Sequence, residues 1–367
     1  MRMRGKTPVR CAGLGRLRAM RCYLVALSSL LFLSAGCLHA KALPALPASH
    51  GALSLALDKY LELPTSPPGA PKPVGTPEVV VEPAQAPSIF AEAVQLLRGT
   101  PTEAEVRQAS EDLTAACEAS FQQACDFLRE HFKAPKRLSG DLPKYPREAF
   151  KNKAFALVVI RCRFGVDGRS RDCEVLESAP YGFTEAMFAA IEGARFQPAT
   201  LAGHPIEIPY TIKAQMSPGG VSLSPEQKLE WVRMRAKAFP RSVWAWFDLA
   251  STLARQLPED PAYLPALRHL NELDTEYWWS AGELAWAHAR EGRYAEAAPL
   301  ARRARTEAPG NPYVLEVSAA THFGLGQCEE AVAEQRRAVD GLPKEWPAPE
   351  RERFVNQLQA YTRRCGR

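Results

Sequence analysis

Val166-Asp167-Gly168-Arg169 constrains this chain more than any other stretch, because of what flanks it. Ala156–Phe164 and Ser170–Glu177 both read as strands, and Asp-Gly between alternating apolar runs is the strongest short-range hairpin signal. Taken as a two-residue type I′ turn, the pair needs positive φ at both Asp167 and Gly168. Val158, Ile160, Cys162 and Phe164 share one face by the period of two. A turn centred on Asp167-Gly168 sets Cys162 opposite Cys173 and Ile160 opposite Val175. The apolar faces then coincide, so register and pattern agree.

A helix is expected next. Thr184 is its candidate cap, and Ala186, Phe188 (or Met187), Ala190, Ile191 and Ala194 form an apolar stripe at helical spacing. Gln197-Pro198 breaks that helix. Ile206, Ile208, Tyr210, Ile212 and Ala214 then alternate as a third strand, His204–Ala214. Helix, strand, strand, helix and strand make a small α+β unit. Pro209 places the third strand at a sheet edge or a bulge, since proline offers no ladder donor.

Several motifs in residues 139–216 occur together: Tyr145-Pro146 with Ala149, Asp167-Gly168, Ser178, Arg195-Phe196-Gln197-Pro198-Ala199 and Gly203-His204-Pro205. Together they resemble the C-terminal domain of TonB-family proteins. The resemblance implies a non-enzymatic domain that pairs an edge strand with a short segment of an outer-membrane transporter by β-augmentation. The expected binding edge is Ile206, Ile208, Tyr210 and Ile212. That family domain usually closes its chain, whereas about 150 residues follow it here.

The N-terminus reads as a targeting segment, residues 1–36. A basic stretch (Arg2, Arg4, Lys6, Arg10, Arg16, Arg18, Arg21) precedes the short apolar run Tyr23–Leu33. Leu33-Ser34-Ala35-Gly36-Cys37 resembles a bacterial lipobox, which implies lipidation at Cys37; Leu38 after it resembles outer-membrane sorting signals. Met20-Arg21 and the following run also make a conventional leader. The alternatives are an uncleaved anchor over Cys22–Ala40, close to the roughly 20 apolar residues a span requires, and secretion with cleavage elsewhere.

Residues 37–88 are proline-rich and read as an extended tether of about 3 Å per residue, with a brief helix over Ala52–Leu63. Helices follow over 89–136, the first capped by Ser88 and ended by Gly99. Thr100-Pro101-Thr102-Glu103 reads as a second start with a capping box. Ala116-Cys117 and Ala124-Cys125 flank a helix–helix turn and resemble the stapled helix pairs of cysteine-rich repeats.

The last part, 224–367, repeats itself. Gly292, Glu296, Ala297, Arg302, Ala304 and Pro309 recur 34 residues later as Gly326, Glu330, Ala331, Arg336, Ala338 and Pro343. The period and residue types resemble tetratricopeptide repeats, with copies at 278–311 and 312–345. An earlier copy is expected from Arg241, with Trp244 and Phe247 at its large positions. Ser224-Pro225-Glu226-Gln227 opens a leading helix and Pro349–Arg364 closes the array. Trp278, Trp279 and Trp286 are expected in the repeat core.

Of nine cysteines, Cys11 and Cys22 leave with the leader and Cys37 takes lipid. The remaining six fall into local pairs suited to an oxidising compartment: Cys117 with Cys125, Cys162 with Cys173, and Cys328 with Cys365.

No GxSxG, HExxH, Walker or GxGxxG pattern is present, and the seven histidines are scattered. His288 and His322 occupy equivalent repeat positions, a packing slot. No catalytic residue, metal site, cofactor or small-molecule substrate is expected. The net charge of +5 comes partly from the leader, so it marks no nucleic-acid surface. Two functions fit: a lipid-anchored, periplasm-facing envelope scaffold, on the outer membrane rather than the inner, or a TonB-type energy transducer. A spanning N-terminal helix would favour the second.

Overall fold

The computed structural model describes residues 47–72, 80–218 and 222–366. Cys37, the leader and the Cys22–Ala40 run lie outside the described residues. Among those described, no helix is long and apolar enough to cross a membrane. The first element is α1 (Ala52–Tyr60), followed by α2 (Ala86–Leu97), α3 (Glu103–Glu118) and α4 (Gln122–His131). Thr102, not Thr100, caps α3, so the capping box lies two residues later than Thr100–Glu103 and Pro101 precedes the cap: Thr102 Oγ1 accepts from the Glu105 amide at 3.3 Å, and Glu105 accepts from the Thr102 amide at 2.7 Å. Ser88 is not a cap but lies inside α2, donating to Gln85 O. The Cys117–Cys125 disulfide joins the end of α3 to the start of α4.

Next come β1 (Phe132–Lys133), β2 (Lys136–Ser139), α5 (Arg147–Lys151), β3 (Ala156–Phe164) and β4 (Ser170–Glu177). The β3–β4 hairpin forms, but around a different turn. Gly165 N donates to Arg169 O and Gly168 N to Gly165 O, both at 3.0 Å. The loop is therefore Val166-Asp167-Gly168, the three-residue form in which a turn is followed by one left-handed residue. Gly168 supplies it at φ +73°, while Asp167 is not at positive φ. A Cβ on Gly168 would meet Phe196 O at 2.3 Å, so glycine is required for space as well as for conformation.

The longer loop changes the register near the turn. Phe164 faces Ser170 and Arg163 faces Arg171, then a bulge intervenes before Arg161–Glu174 and Ile160–Val175. Asp172, at φ +50°, lies in that bulge. Cys162 and Cys173 are disulfide-bonded there, with Cα atoms 4.0 Å apart, rather than facing each other in a regular ladder.

Then follow α6 (Phe183–Glu192), β5 (Arg195–Gln197), β6 (Ala199–Leu201), β7 (His204–Ile206) and β8 (Ile208–Met216). Gly182, not Thr184, precedes α6; Thr184 instead bonds both backbone groups of Ala179. Phe183, Met187 and Ile191 are its buried stripe. The single expected strand over 204–214 is two strands in two sheets. β7 pairs β6, which pairs β1; β8 pairs β3 in the order β4–β3–β8; β5 pairs β2.

The β4–β3–β8 sheet is a middle layer. On one face Val158, Ile160, Cys162 and Phe164 pack with Phe183, Met187 and Ile191 of α6. The other face packs against the first two of the eight described helices that close the chain. These are α7 (Pro225–Ala238), α8 (Val243–Gln256), α9 (Tyr263–Leu273), α10 (Trp278–Arg290), α11 (Tyr294–Glu307), α12 (Pro312–Gly324), α13 (Cys328–Asp340) and α14 (Ala348–Cys365). Leu157 and Val159 of β3 pack against Trp244, Trp231 and Phe247. Ser224 and Gln227 form the capping box of α7, with Pro225 in the first turn. The starts of α10 and α11 recur 34 residues on as those of α12 and α13, as the sequence period requires. The Cys328–Cys365 disulfide ties the start of α13 to the end of α14.

Candidate functional site

β8 pairs β3 over nine residues without a break, from Ala156–Met216 to Phe164–Ile208. In an antiparallel ladder both backbone groups of a residue point to one side, and the side alternates along the strand. Pro209, opposite Arg163, has no N–H and so occupies a position that faces away from β3. By the same parity Thr211, Lys213 and Gln215 present their amides and carbonyls outward. The hairpin agrees, since Gly165 bonds Arg169 and odd-numbered β3 residues therefore serve β4. Among the described residues, no backbone hydrogen bond reaches Thr211, Lys213 or Gln215 on that outer side.

β4 is the other edge of the sheet, and it is blunted. The bulge at Asp172 interrupts it, Arg241 crosses to Glu174 at 3.3 Å, and Glu177 at its end is fully buried. Bulges and charged side chains are standard protection for strand edges. β8 carries two such devices, Pro209 at its beginning and Lys213 further along, which on the alternative reading serve to block pairing.

The four residues expected to form the binding edge therefore separate. Ile206 belongs to β7 and is buried, and Ile208 is fully buried; both pack with Leu97, Val106, Ala109 and Leu113 of α2 and α3. Their task is to fix the preceding helices to the domain, helped by His204 Nε2 at 2.8 Å from Leu97 O. Tyr210 and Ile212 lie on β8, with side chains on the α6 side. What β8 presents outward is backbone.

Lys213 leans the other way, its Nζ 3.5 Å from the Trp244 ring centroid. Burial lowers the Lys213 pKa, and Asp248 opposes that shift. Beneath lies a buried joint between sheet and helices. Arg235 donates to both Glu177 carboxylate oxygens at 2.9 and 3.0 Å and to Asp248 at 2.5 Å. Ser242 Oγ also donates to Glu177. Burial alone would lower the Arg235 pKa; the two carboxylates outweigh it and hold it raised. No local sequence signal marks Glu177, because its partners are 58 and 65 residues away.

Residues 47–72 are not a free tether. They lie against the helical repeats, with Leu57 fully buried beside Tyr313, Leu315 and Phe354. Trp278 and Trp279 are buried in one core cluster of the helical region and Trp286 in another. Trp279 and Trp286 have a second role, because their indole N–H groups donate to Gly51 O and Pro47 O. His322 Nδ1 lies 2.6 Å from Gln327 Oε1, whereas His288 Nδ1 has no hydrogen-bond partner and only approaches Glu296 at 3.6 Å.

A cleft of about 880 Å³ opens beside this segment, lined in part by Lys72, Glu118, Arg129, Glu276 and Glu307. Burial, with Glu276 nearby, pushes Glu307 up to about 7. Among the described residues no group of His, Cys, Asp or Glu is arranged to hold a metal ion.

Residues 141–215 match the family model for the Gram-negative bacterial TonB protein C-terminal domain. No curated protein matches the chain. Domains of this family are non-enzymatic protein-interaction domains that bind proteins such as outer-membrane transporters. The α+β unit built on the β4–β3–β8 sheet is thus a TonB C-terminal domain, and a helical region follows it in the chain.

Proposed function

We propose that this protein is a non-enzymatic binding scaffold of the Gram-negative envelope. It captures an extended segment of a partner, of the outer-membrane transporter class, along the outer edge of β8. The observation that carries this reading is the outward row of Thr211, Lys213 and Gln215 on a strand whose inner side is fully paired. A partner strand adds backbone bonds there, which give affinity without a deep pocket. The 34-residue recurrence of helix pairs supports a tetratricopeptide-like platform behind the domain. The lipobox-like run supports an anchor at Cys37 that faces the periplasm, preferentially on the outer membrane. An energy transducer with a spanning anchor over Cys22–Ala40 is the second reading; mass spectrometry of the mature N-terminus separates the two.

Proline substitutions in the whole chain test the edge. Thr211→Pro and Gln215→Pro remove outward donors only, so the fold should survive while capture of transporter periplasmic peptides weakens at least about tenfold, equivalent to 1.4 kcal/mol. Ile212→Pro removes a donor to β3 and should unfold the sheet. Unchanged capture by both outward variants, with native circular dichroism, rejects the β8 edge. The whole chain is the right probe, because an isolated domain would expose Leu157 and Val159.

A further inference from the structure

The segment from Pro47 to Leu63 is held the way a protein holds a peptide. Trp286 Nε1 donates to Pro47 O at 2.9 Å, Arg290 to Ala48 O at 2.8 Å, Trp279 Nε1 to Gly51 O at 3.2 Å and Asn311 Nδ2 to Ser54 O at 3.2 Å. Glu283 accepts from the Gly51 amide at 3.1 Å. Five backbone groups of one segment are thus read by side chains of α10 and of the α12 N-terminus. Such contacts fix a path whatever the side chains carried on it.

Side chains then add selectivity. His50 is nearly buried, with its ring centroid 4.0 Å from that of Trp286, and its Nε2 lies 2.9 Å from the fully buried Glu316 as an ion-pair contact. Gly51 sits at φ +53°, and a Cβ there would approach Ala254 O at 3.3 Å. Ser54 and Leu57, one turn apart on α1, are both buried. Glu283, Asn311 and Glu316 are buried polar groups that the helices already partner: Tyr263 Oη donates to Glu283 at 2.9 Å, Asn311 Oδ1 accepts from the Tyr313 amide at 3.0 Å, and Arg353 donates to both Glu316 oxygens at 2.7 and 3.0 Å. The segment adds a further contact to each: the Gly51 amide to Glu283, Ser54 O to Asn311 Nδ2 and His50 beside Glu316.

We propose that this face of the repeats is a peptide-binding groove, separate from the β8 edge, and that residues 47–63 are its exchangeable cis occupant. The groove would take a protein segment of the same chemistry: an extended proline-containing lead, a His-Gly corner, then a short helix with Ser and Leu at the third and sixth positions after the glycine. A tethered occupant acts at an effective concentration of about 1 mM, so a free peptide of about 10 μM Kd meets a groove that is open about one part in a hundred. The occupant therefore gates the groove.

The test uses the whole chain and a fluorescein-labelled synthetic peptide of residues 47–63, followed by fluorescence anisotropy. His50→Ala combined with Leu57→Asp should free the groove, so the variant binds the peptide about 100-fold more tightly than the unmodified chain. Adding Asn311→Ala and Trp286→Phe to that variant should weaken binding again. A folded variant that takes no peptide, or an unmodified chain that binds equally well, overturns the proposal. Unfolding of the variant would show the segment to be core and also overturns it. A second arm replaces residues 73–79 with a protease site. After cutting, the labelled peptide should exchange with the released segment, and retention of the cut segment through repeated dilution overturns exchangeability. Concentration-dependent dimers abolished by Leu57→Asp would assign the groove to a second copy's segment and overturn the cis assignment.

Discussion

Glu177→Gln is the perturbation that most sharply tests how the TonB domain is fixed to the helices. Glu177 is fully buried and accepts two hydrogen bonds from Arg235 and one from Ser242. The amide keeps one acceptor but turns a donor group toward a guanidinium that cannot lose its charge. Removing one partner of a buried ion pair costs about 3–5 kcal/mol, because the other charge is left without compensation. Asp248, 2.5 Å from Arg235, still offsets part of that charge, which puts the expected loss near the lower end, about 3 kcal/mol. Urea unfolding followed by tryptophan fluorescence reads it directly, since Trp231 and Trp244 line the same joint. The double variant Glu177→Leu with Arg235→Leu should lose less than Glu177→Gln alone, because no buried charge of that pair remains. A loss below about 1 kcal/mol for Glu177→Gln, or strictly additive single-variant losses, would refute the view that this pair holds the joint.

Replacing Cys162 and Cys173 together by serine should destabilise the hairpin by about 2–4 kcal/mol without changing its register; urea midpoints measured with and without reductant check it, and the variant should respond less to reductant than the unmodified chain, because only Cys117–Cys125 and Cys328–Cys365 are left to reduce. Glu307 has a folded-state pKa of about 7 against an ordinary 4.5, so between those values the folded state keeps a proton that the unfolded state has lost. Its contribution to stability falls as pH rises through that window and is least favourable above about 7. Glu307→Gln should therefore raise the melting temperature at pH 8 and change it little at pH 4; equal shifts at both values would count against the burial argument.

The hairpin was legible because its signals are local: alternation on both strands and an Asp-Gly pair between them. Its turn type was not, because the two-residue and three-residue loops share that dipeptide, and the choice rests on Gly168 fitting beneath Phe196. The break at Glu207 was hidden for a related reason. Ile206 and Ile208 keep the same parity as Tyr210 and Ile212, so the period continues unbroken while the chain passes from one sheet to another. The helix start at Ser224 was readable from its capping residues, whereas α3 starts two residues past the expected Thr100, because Thr100 and Thr102 each have a glutamate three residues on. The docking of residues 47–72 was not, because proline-rich composition suggests an extended chain and its hydrogen-bond partners on the helices lie more than 200 residues away. Trp279 and Trp286 illustrate the limit: a buried indole reads alike from sequence whether its N–H faces core or a bound segment.

The central claim is that a partner strand adds to β8, and amide hydrogen exchange tests it most directly. In the free protein Thr211, Lys213 and Gln215 should exchange quickly, while Tyr210, Ile212 and Ala214, bonded to β3, exchange slowly. On saturation with a transporter periplasmic peptide, the three outward amides should become protected and the inner ones should change little. Protection that appears on β4 or among α10 and α12, with Thr211, Lys213 and Gln215 still exchanging quickly, would contradict the account.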